Sequence, residues 1–501
     1  MLNITTFLDA NACRLAKPVF FCPERNTSYT SADILGIISE IARTLKNFGV
    51  SKGDRVMLYL NSSPEYLFSY LALWRIGAVA VPTNRVYTAS ELAYMVENAG
   101  ARVFITDPAG AGTAAGLDLT IYVPENIEAM RTAPVLPPEP TGSDDLCQLQ
   151  YTSGTTGKPK GAMLTHGNWL AAIHNECDVL TLKQDDVYLG IYPMGHVGLS
   201  WGIAAMRAGA VYIMVERYDP ETYLSFCRTH GVTVLSGMPP VIHSLLNAPA
   251  GTEEAVATVR EIISGGGPLH HEIWKNFHHR YNIPVINAYG LSETVVIGTG
   301  TVIRPEDYAS ADRFQSVGHP VCFSEVKIVD ETDAAKELPL NTPGEIALRG
   351  PAVAKGYWNM PEETAQAFLP DGWFLTGDVG YLDNDHRLCL TDRKKDMIVM
   401  SGWKIYPTEV EEALLKYPGV SEIAVFGIPH PHRGEVPVAA VVWRTGWDSS
   451  DRSERDAGLL SFAKEHLAGY KVPRELYTVD ALPRVNGWKL LRRELREKFA
   501  Q

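Results

Sequence analysis

Tyr151-Thr152-Ser153-Gly154-Thr155-Thr156-Gly157-Lys158-Pro159-Lys160-Gly161 gathers glycines, hydroxyls and two lysines into a segment that neither a helix nor a regular strand explains. Gly154, Gly157 and Gly161 permit positive φ, so successive backbone N–H groups can turn toward one anion. Ser153, Thr155 and Thr156 add hydroxyl donors, and Lys158 and Lys160 add charge. Such a loop suits a polyphosphate. It is not the GxxxxGK[ST] loop of P-loop proteins, because Thr152 stands where the first glycine belongs and Pro159 where Ser or Thr is needed.

Outward from this loop the chain alternates short apolar runs with amphipathic stretches. Upstream, residues 55–60, 78–81 and 102–106 read as buried strands. Residues 32–48, 64–75 and 90–99 carry helical spacing, the last with Ser90 as its expected N-cap. A proline-rich connector, 134–140, leads to the loop. Downstream, a helix starts at His166, and strands are expected at 187–191, 210–215 and 232–235. The runs 261–263 and 285–286 end in Ser264-Gly265-Gly266-Gly267-Pro268 and Asn287-Ala288-Tyr289-Gly290. Alternation of this kind implies parallel sheet covered by helices, with ligands beyond the carboxyl ends of the strands. From about 321 the texture changes to short strands (325–329, 344–349, 387–390), a small β-rich subdomain. The charged run Asp392-Arg393-Lys394-Lys395-Asp396 reads as a hinge before a last small α+β unit. The expected fold class is therefore α/β: a large domain over 1–391, then a small mobile domain over 392–501.

Bulk properties narrow the function. A chain of 501 residues with 46% hydrophobic and 21% charged residues is a soluble, multidomain composition. No window reads as a membrane span and the start lacks a signal-peptide pattern, so no integral membrane segment is expected. The final residues are not the peroxisomal tripeptide. Seven cysteines without a CxxC pair read as reduced thiols in a cytoplasmic protein. A net charge of −13 argues against a nucleic-acid partner. His270, His271, His278 and His279 fall on an expected exposed helix without carboxylate or Cys support, which disfavours a metal site.

Further motifs follow the loop in order. Tyr289-Gly290-Leu291-Ser292-Glu293-Thr294 offers an aromatic face, a tight turn and a carboxylate. Thr376-Gly377-Asp378 follows Trp373-Phe374-Leu375. Then come Arg393 and Lys395, the run Ser401-Gly402-Trp403-Lys404, and Pro483-Arg484-Val485-Asn486-Gly487-Trp488-Lys489-Leu490-Leu491-Arg492-Arg493. In order and spacing these resemble the signatures of the adenylate-forming superfamily of acyl-CoA synthetases, luciferases and peptide-synthetase adenylation domains, over essentially the whole chain.

The resemblance implies roles. Thr152, Ser153, Gly154, Thr155, Thr156, Gly157 and Lys158 would hold the phosphates of ATP. Gly266, Gly267, Pro268, Asn287, Ala288, Tyr289, Gly290 and Ser292 would take the nucleotide, with Tyr289 stacked on adenine. Asp378 would accept from the ribose hydroxyls, and Glu293 with Thr155 would bind Mg²⁺. Arg393 would contact ribose or phosphate, and Lys395 would be the pivot of the small domain. Ser401, Gly402 and Trp403 would line the path of coenzyme A. Lys489 would be the catalytic lysine, although relatives usually have glycine where Trp488 stands. His430-Pro431-His432-Arg433-Gly434-Glu435 resembles a structural turn.

Positions that line the acyl pocket in aryl-CoA ligases fall at His196, Val197, Gly198, Met238, Gly290, Val295 and Val296. Trp201 is a nearby aromatic, and Gly195 replaces the aromatic common before this histidine. His196 is also a catalytic candidate. The implied reaction joins a small carboxylic acid, with an aromatic, alicyclic or medium-chain tail and no charge on it, to coenzyme A through acyl-AMP. The alternatives are loading of a phosphopantetheine carrier protein, a luciferase-like oxygenase, and a non-enzymatic binding protein. A homodimer is among the expected assembly states.

Overall fold

The computed structural model describes every residue except 1, 84, 153–157, 268, 305–315, 448–451, 486–488 and 501, and leaves out the side chains of 485 and 489. Two large sheets organise the first three hundred residues. In the six-stranded sheet the order is Thr120–Tyr122, Val103–Thr106, Arg55–Tyr59, Val79–Thr83, Leu146–Thr152, Lys160–Thr165. All its pairs are parallel except the last, which is an antiparallel hairpin. The nine-stranded sheet runs His319–Pro320, Val296–Val302, Val285–Leu291, Glu261–Ser264, Val234–Ser236, Val187–Gly190, Val211–Met214, Pro18–Cys22, Thr27–Thr30. Its six central strands, from Val285–Leu291 to Pro18–Cys22, are parallel.

The helices Ser31–Asn47, Pro64–Arg75, His166–Val179 and Ser200–Ala208 fill the space between the sheets. Their apolar faces share one core with Leu58 and Ala80 from one sheet and Phe20, Tyr188 and Tyr212 from the other. Burial on both sides explains why these strands read as unbroken apolar runs rather than alternating ones. Trp74 and Trp169 pack edge-on at 4.7 Å in the middle of this layer. Their indole N–H groups donate to the Cys147 carbonyl (2.9 Å) and to Gln148 Oε1 (2.7 Å), so neither buried donor is left unmet. Arg75, fully buried, is neutralised by a two-point bond to Asp9 at 2.6 and 2.9 Å.

Element limits differ from the sequence reading mainly at their ends. The helix expected from Ser90 spans Ala89–Ala99, and its N-cap is Thr88. Thr88 forms a reciprocal capping box with Glu91, which places the acceptor where the third helical N–H needs it. The run expected to stop at 286 continues as Val285–Leu291, because the antiparallel neighbour Val296–Val302 pairs Tyr289 with Thr301.

Beyond the nine-stranded sheet lies an antiparallel four-stranded sheet: Glu325–Val329, Gly344–Arg349, Phe374–Leu382 and Leu388–Arg393. A turn in which the N–H groups of Asp396 and Met397 both donate to the Arg393 carbonyl then leads into a different sheet. That sheet holds Ile398–Met400, Trp403–Ile405, Val420–His430, Gly434–Trp443 and Leu476–Thr478 and packs on the helices Pro407–Leu414 and Arg452–His466. A short hairpin, Arg484–Val485 with Lys489–Leu490, precedes the last helix, Arg492–Phe499. Among the described residues no helix is long and apolar enough to cross a membrane.

Candidate active site

Four parallel strands of the nine-stranded sheet stop at one edge: Val187–Gly190, Val234–Ser236, Glu261–Ser264 and Val285–Leu291. The loops 191–198, 237–238, 265–267 and 291–296 therefore open side by side. The hairpin of Leu146–Thr152 and Lys160–Thr165 reaches the same region from the other sheet. Thr152 lies opposite Lys160, and the apex Ser153-Gly154-Thr155-Thr156-Gly157 lies outside the described residues. Gly161 is not the turn glycine expected. It pairs with Tyr151 in the ladder, and its missing side chain admits the Tyr151 ring, which would sit 3.2 Å from a Cβ there.

Two links fix the hairpin against its surroundings. The Tyr151 hydroxyl donates to Asn98 Oδ1 at 2.6 Å. Gln150, buried, donates from Nε2 to the Gly195 carbonyl at 3.2 Å, tying the first strand of this hairpin to the loop that carries His196. Lys158 lies over the Tyr94 ring (5.7 Å) and Lys160 over the Tyr357 ring (5.2 Å).

The polar centre of this edge is a chain of five side chains. Asp378 stands directly across from Arg393 in the four-stranded sheet, with its Oδ1 3.4 Å from Arg393 Nε. The Tyr289 hydroxyl donates to Asp378 Oδ2 at 2.9 Å. Gly377, at φ +72°, kinks the strand just before Asp378. Glu293 is 8% exposed and accepts one hydrogen bond from the Tyr357 hydroxyl at 3.0 Å. Burial raises the Glu293 carboxyl above its ordinary range, the Tyr357 bond and the Arg393 charge oppose that rise, and Asp378 adds to it. The Glu293 carboxyl is a hard oxygen donor of the kind that Mg²⁺ takes. Ser264, at the start of the glycine run, has a fully buried Oγ without a partner among the described residues. An orphan of this kind, beside Gly265 and Gly267, fits a site whose last hydrogen bonds come from a nucleotide.

The turn that carries Glu293 is strained. Val295 and Val296 adopt φ +47° and +54°, a region that β-branched residues almost never occupy. The fold enforces it: a Cβ on Gly290 would lie 1.6 Å from the Val296 carbonyl oxygen, so only glycine lets the two segments approach. Thr294 Oγ1 closes the turn, accepting from Leu291 N–H (3.0 Å) and donating to the Val296 carbonyl (2.9 Å).

Of the expected acyl-site residues, Val197, Trp201 and Val295 are buried in the core between the sheets, and His196, Gly198 and Val296 are half-buried at its rim. Met238 belongs to the apolar cluster on the other side of the nine-stranded sheet, and Tyr192 packs on both clusters. Among the expected acyl-site residues only His196 has a titratable side chain. Tyr192 fills the room that Gly198 leaves, its Cγ standing 3.0 Å from where a Cβ would be.

The remaining expected residues separate into two places. The hairpin bearing Lys489 lies near the glycine loop: burial chiefly, and then the charges of Arg492 and Arg484 on either side of that hairpin, lower His270 to about 4. Pro268 and the Lys489 side chain lie outside the described residues. Ser401, Gly402 and Trp403 lie on a turn of the C-terminal sheet, where Trp403 is 59% exposed and stacks on Tyr470 at 4.9 Å. A Cβ on Gly402 would meet nothing within 4 Å. Lys395 sits in the turn between the sheets. The histidine-rich helix, His271–Tyr281, is less exposed than expected, since only His279 of the four histidines is fully at the surface.

Tyr357, Gln150 and Tyr192 were not singled out by sequence reasoning. Tyr357 reaches Glu293 across 64 residues of chain, and no local pattern marks it.

Comparison with known proteins accords with this geometry. Residues 8–358 match the family model for AMP-binding enzymes and residues 409–487 that for the C-terminal domain of the same enzymes. A feruloyl-CoA synthase of Amycolatopsis sp is 34% identical over 476 residues, 94% of each chain. A 2-succinylbenzoate–CoA ligase of Geobacillus kaustophilus is 34% identical over 490 residues, 96% of each chain. The ATP-bound crystal structure of MatB from Rhodopseudomonas palustris superposes with a TM-score of 0.90 at 30% identity, covering 100% of this chain and 99% of that one. Its apo structure, over the same coverage, gives 0.79. The chain belongs to the AMP-binding enzyme family.

Proposed function

We propose that this enzyme joins a carboxylic acid with an uncharged tail to coenzyme A in two steps, as an AMP-forming acid–thiol ligase. In the first, a carboxylate oxygen of the acid attacks the α-phosphorus of ATP and pyrophosphate leaves. In the second, the thiol sulfur of coenzyme A attacks the acyl carbon, a proton is lost, and AMP leaves. The observation that carries this reading is the chain Tyr289–Asp378–Arg393 beside Glu293–Tyr357 at the open end of the parallel strands, next to the hydroxyl- and lysine-rich hairpin. Its carboxylates, phenols and guanidinium offer what a nucleotide's ribose and phosphates require.

On this reading Asp378 accepts from the ribose hydroxyls, and the Tyr289 phenol, already bonded to it, orients the carboxylate while its ring faces adenine. The backbone N–H groups of 153–157 and Lys158 hold the phosphates. Glu293, with Thr155, would hold Mg²⁺, which would neutralise phosphate charge as the two anions meet. Lys489 would stabilise the charge that develops at the α-phosphate. The segment over 1–391 acts as the ATP- and acid-binding domain and 392–501 as the mobile one, pivoting near Lys395. The nearness of the Lys489 hairpin to the glycine loop, the solvent-open Gly402 and the better fit to an ATP-bound relative than to its apo form all support an arrangement set for the first step. After rotation, Ser401, Gly402 and Trp403 would line the thiol path.

An uncharged acid tail follows from the lining: a second carboxylate or an amine buried against Val197, Trp201 and Val295 would cost several kcal/mol without a partner. The seven free cysteines suit a reducing cytoplasm. A panel of carboxylic acids, scored for pyrophosphate and thioester with coenzyme A, with a phosphopantetheinylated carrier protein, or with neither, tests the reading. Acid-dependent pyrophosphate with thioester on coenzyme A is expected. Thioester only on the carrier, or dicarboxylates and amino acids outpacing every neutral-tailed acid, would overturn it.

A further inference from the structure

One buried polar cluster in the core between the two large sheets has no role in the reaction as described. Glu176, on helix His166–Val179, is fully buried against helix Ser200–Ala208. The Ser200 hydroxyl donates to its Oε1, whereas its Oε2 has no partner among the described residues. Burial raises this carboxyl well above its ordinary range, which favours its neutral form. The Tyr188 hydroxyl, also buried, has no partner among the described residues either. Ser236 Oγ is close enough to that phenol to lower its pKa as a hydrogen-bonding neighbour, but it already accepts from Ile191 N–H at 2.8 Å and donates to the Leu189 carbonyl at 3.0 Å, so it leaves the phenol without a well-formed bond. The Glu176 carboxyl is near enough to bear on the phenols of both Tyr188 and Tyr192.

The placement is directional. Tyr188 leans toward the carboxyl end of its strand, its Cε1 lying 2.9 Å from where a Cβ on Gly190 would be. That end opens into the 191–198 loop with His196, and Ser200 starts the helix that follows. Room for the rings is made by glycines: a Cβ at Gly202 would collide with the Tyr212 ring at 2.5 Å, and one at Gly198 would crowd Tyr192. Two unmet polar atoms, each on a wholly buried side chain, are costly to a fold unless something satisfies them.

We propose that Glu176 and Tyr188 form a polar inner end of the acyl site, which selects acids whose tail carries an uncharged hydrogen-bonding group such as a hydroxyl. The inference rests on the ligase reading and sharpens it: the tail is neutral, as the lining requires, but not wholly apolar. The Glu176 carboxyl donates to the tail oxygen and Tyr188 supplies a second bond, so an acid of equal size with methyl in place of hydroxyl leaves both groups unmet. A site built to bond a substrate hydroxyl rejects such an analogue far more strongly than an apolar pocket discriminates by size.

The test compares kcat/KM for pairs of aryl and alicyclic acids that differ only by hydroxyl or methyl at the tail, in pyrophosphate release. The wild-type enzyme is expected to favour the hydroxyl member of at least one pair by about tenfold or more. Glu176→Leu should abolish or invert that preference, and Tyr188→Phe should reduce it. Glu176→Gln keeps the shape and the Ser200 bond and should retain part of it. A ratio measured in one preparation is independent of how much of it is folded. Equal turnover of both members of every pair by the wild type, or an unchanged ratio in Glu176→Leu, would overturn the inference while leaving the ligase reading intact. Absence of pyrophosphate release with every acid would instead overturn the ligase reading, and the inference with it.

Discussion

Replacing Tyr357 by Phe removes one hydroxyl and little else, and its consequence can be worked out from the cluster. The ring's other contacts survive: its edge-on packing with Phe368 at 5.3 Å and the Lys160 ammonium 5.2 Å from its centre. What is lost is the 3.0 Å bond to buried Glu293. A hydrogen bond to an ionised group contributes about 1.5–3 kcal/mol, which is about ten- to hundred-fold in the balance between the ionised and neutral acid. The Glu293 carboxyl is already raised by burial, and the phenol is one of the groups holding it down. Tyr357→Phe should therefore keep Glu293 protonated to higher pH. Pyrophosphate release at limiting Mg²⁺ should fall about ten- to hundred-fold on the acid side of the pH profile and recover toward the wild-type rate at high pH. Stability has a matching sign. A carboxyl raised in the folded state contributes stability at low pH that is lost as pH rises through its folded value. The substitution should cost little in acid, where Glu293 is neutral, and up to about 3 kcal/mol in base, where an ionised carboxylate loses its partner. An acid limb that does not move, with a pH-independent loss of stability, would refute this reasoning.

Glu293→Gln should raise the Mg²⁺ concentration needed for half-maximal pyrophosphate release and flatten the acid limb; an unchanged Mg²⁺ titration would move the metal elsewhere. The strained turn gives a matched pair in urea unfolding. Val295 is fully buried, so Val295→Gly should lose about 1.5–3 kcal/mol of burial against about 1–3 kcal/mol of relieved strain, which leaves it the less stable of the two glycine variants of this turn. Val296 is half-buried at the same kind of φ, and Val296→Gly should come out within about 1 kcal/mol of wild type. Losses that follow burial alone, about 1.5–3 kcal/mol at Val295 and about half of that at Val296, would show that the turn stores no strain.

The parts of the site legible in the sequence are those written by the backbone. Gly265-Gly266-Gly267 follows a strand end, Tyr289-Gly290 lies near one and Thr376-Gly377-Asp378 lies within a strand. At Gly266 and Gly377 a positive φ calls for glycine, at Gly290 a close approach does, and a short motif can record that demand. Gly290 illustrates it, since the Val296 carbonyl occupies the space of any side chain. Gly161 shows the limit, for its glycine serves an aromatic ring across a ladder rather than a turn. What remained unread depends on contacts far apart in the chain. Tyr357 has no pattern around it, and Glu176 looks like one more polar residue on an amphipathic helix until Ser200 and Tyr188 close over it. The Thr88 cap was missed by two residues because Thr88 and Ser90 are both good caps, and only the reciprocal bond with Glu91 decides between them.

The two half-reactions, assayed separately in Lys489→Ala and Gly402→Leu, test the alternating two-step account most directly. Lys489→Ala should lose about a hundred-fold or more in acyl-AMP formation and convert supplied acyl-AMP to thioester at nearly the wild-type rate. A Cβ at Gly402 meets no neighbour in this arrangement, and a side chain there adds about 1–3 kcal/mol of backbone strain at φ +86°, so Gly402→Leu should release pyrophosphate normally and fail with coenzyme A. Equal damage to both halves by Lys489→Ala, or thiolysis untouched by Gly402→Leu, would contradict the account.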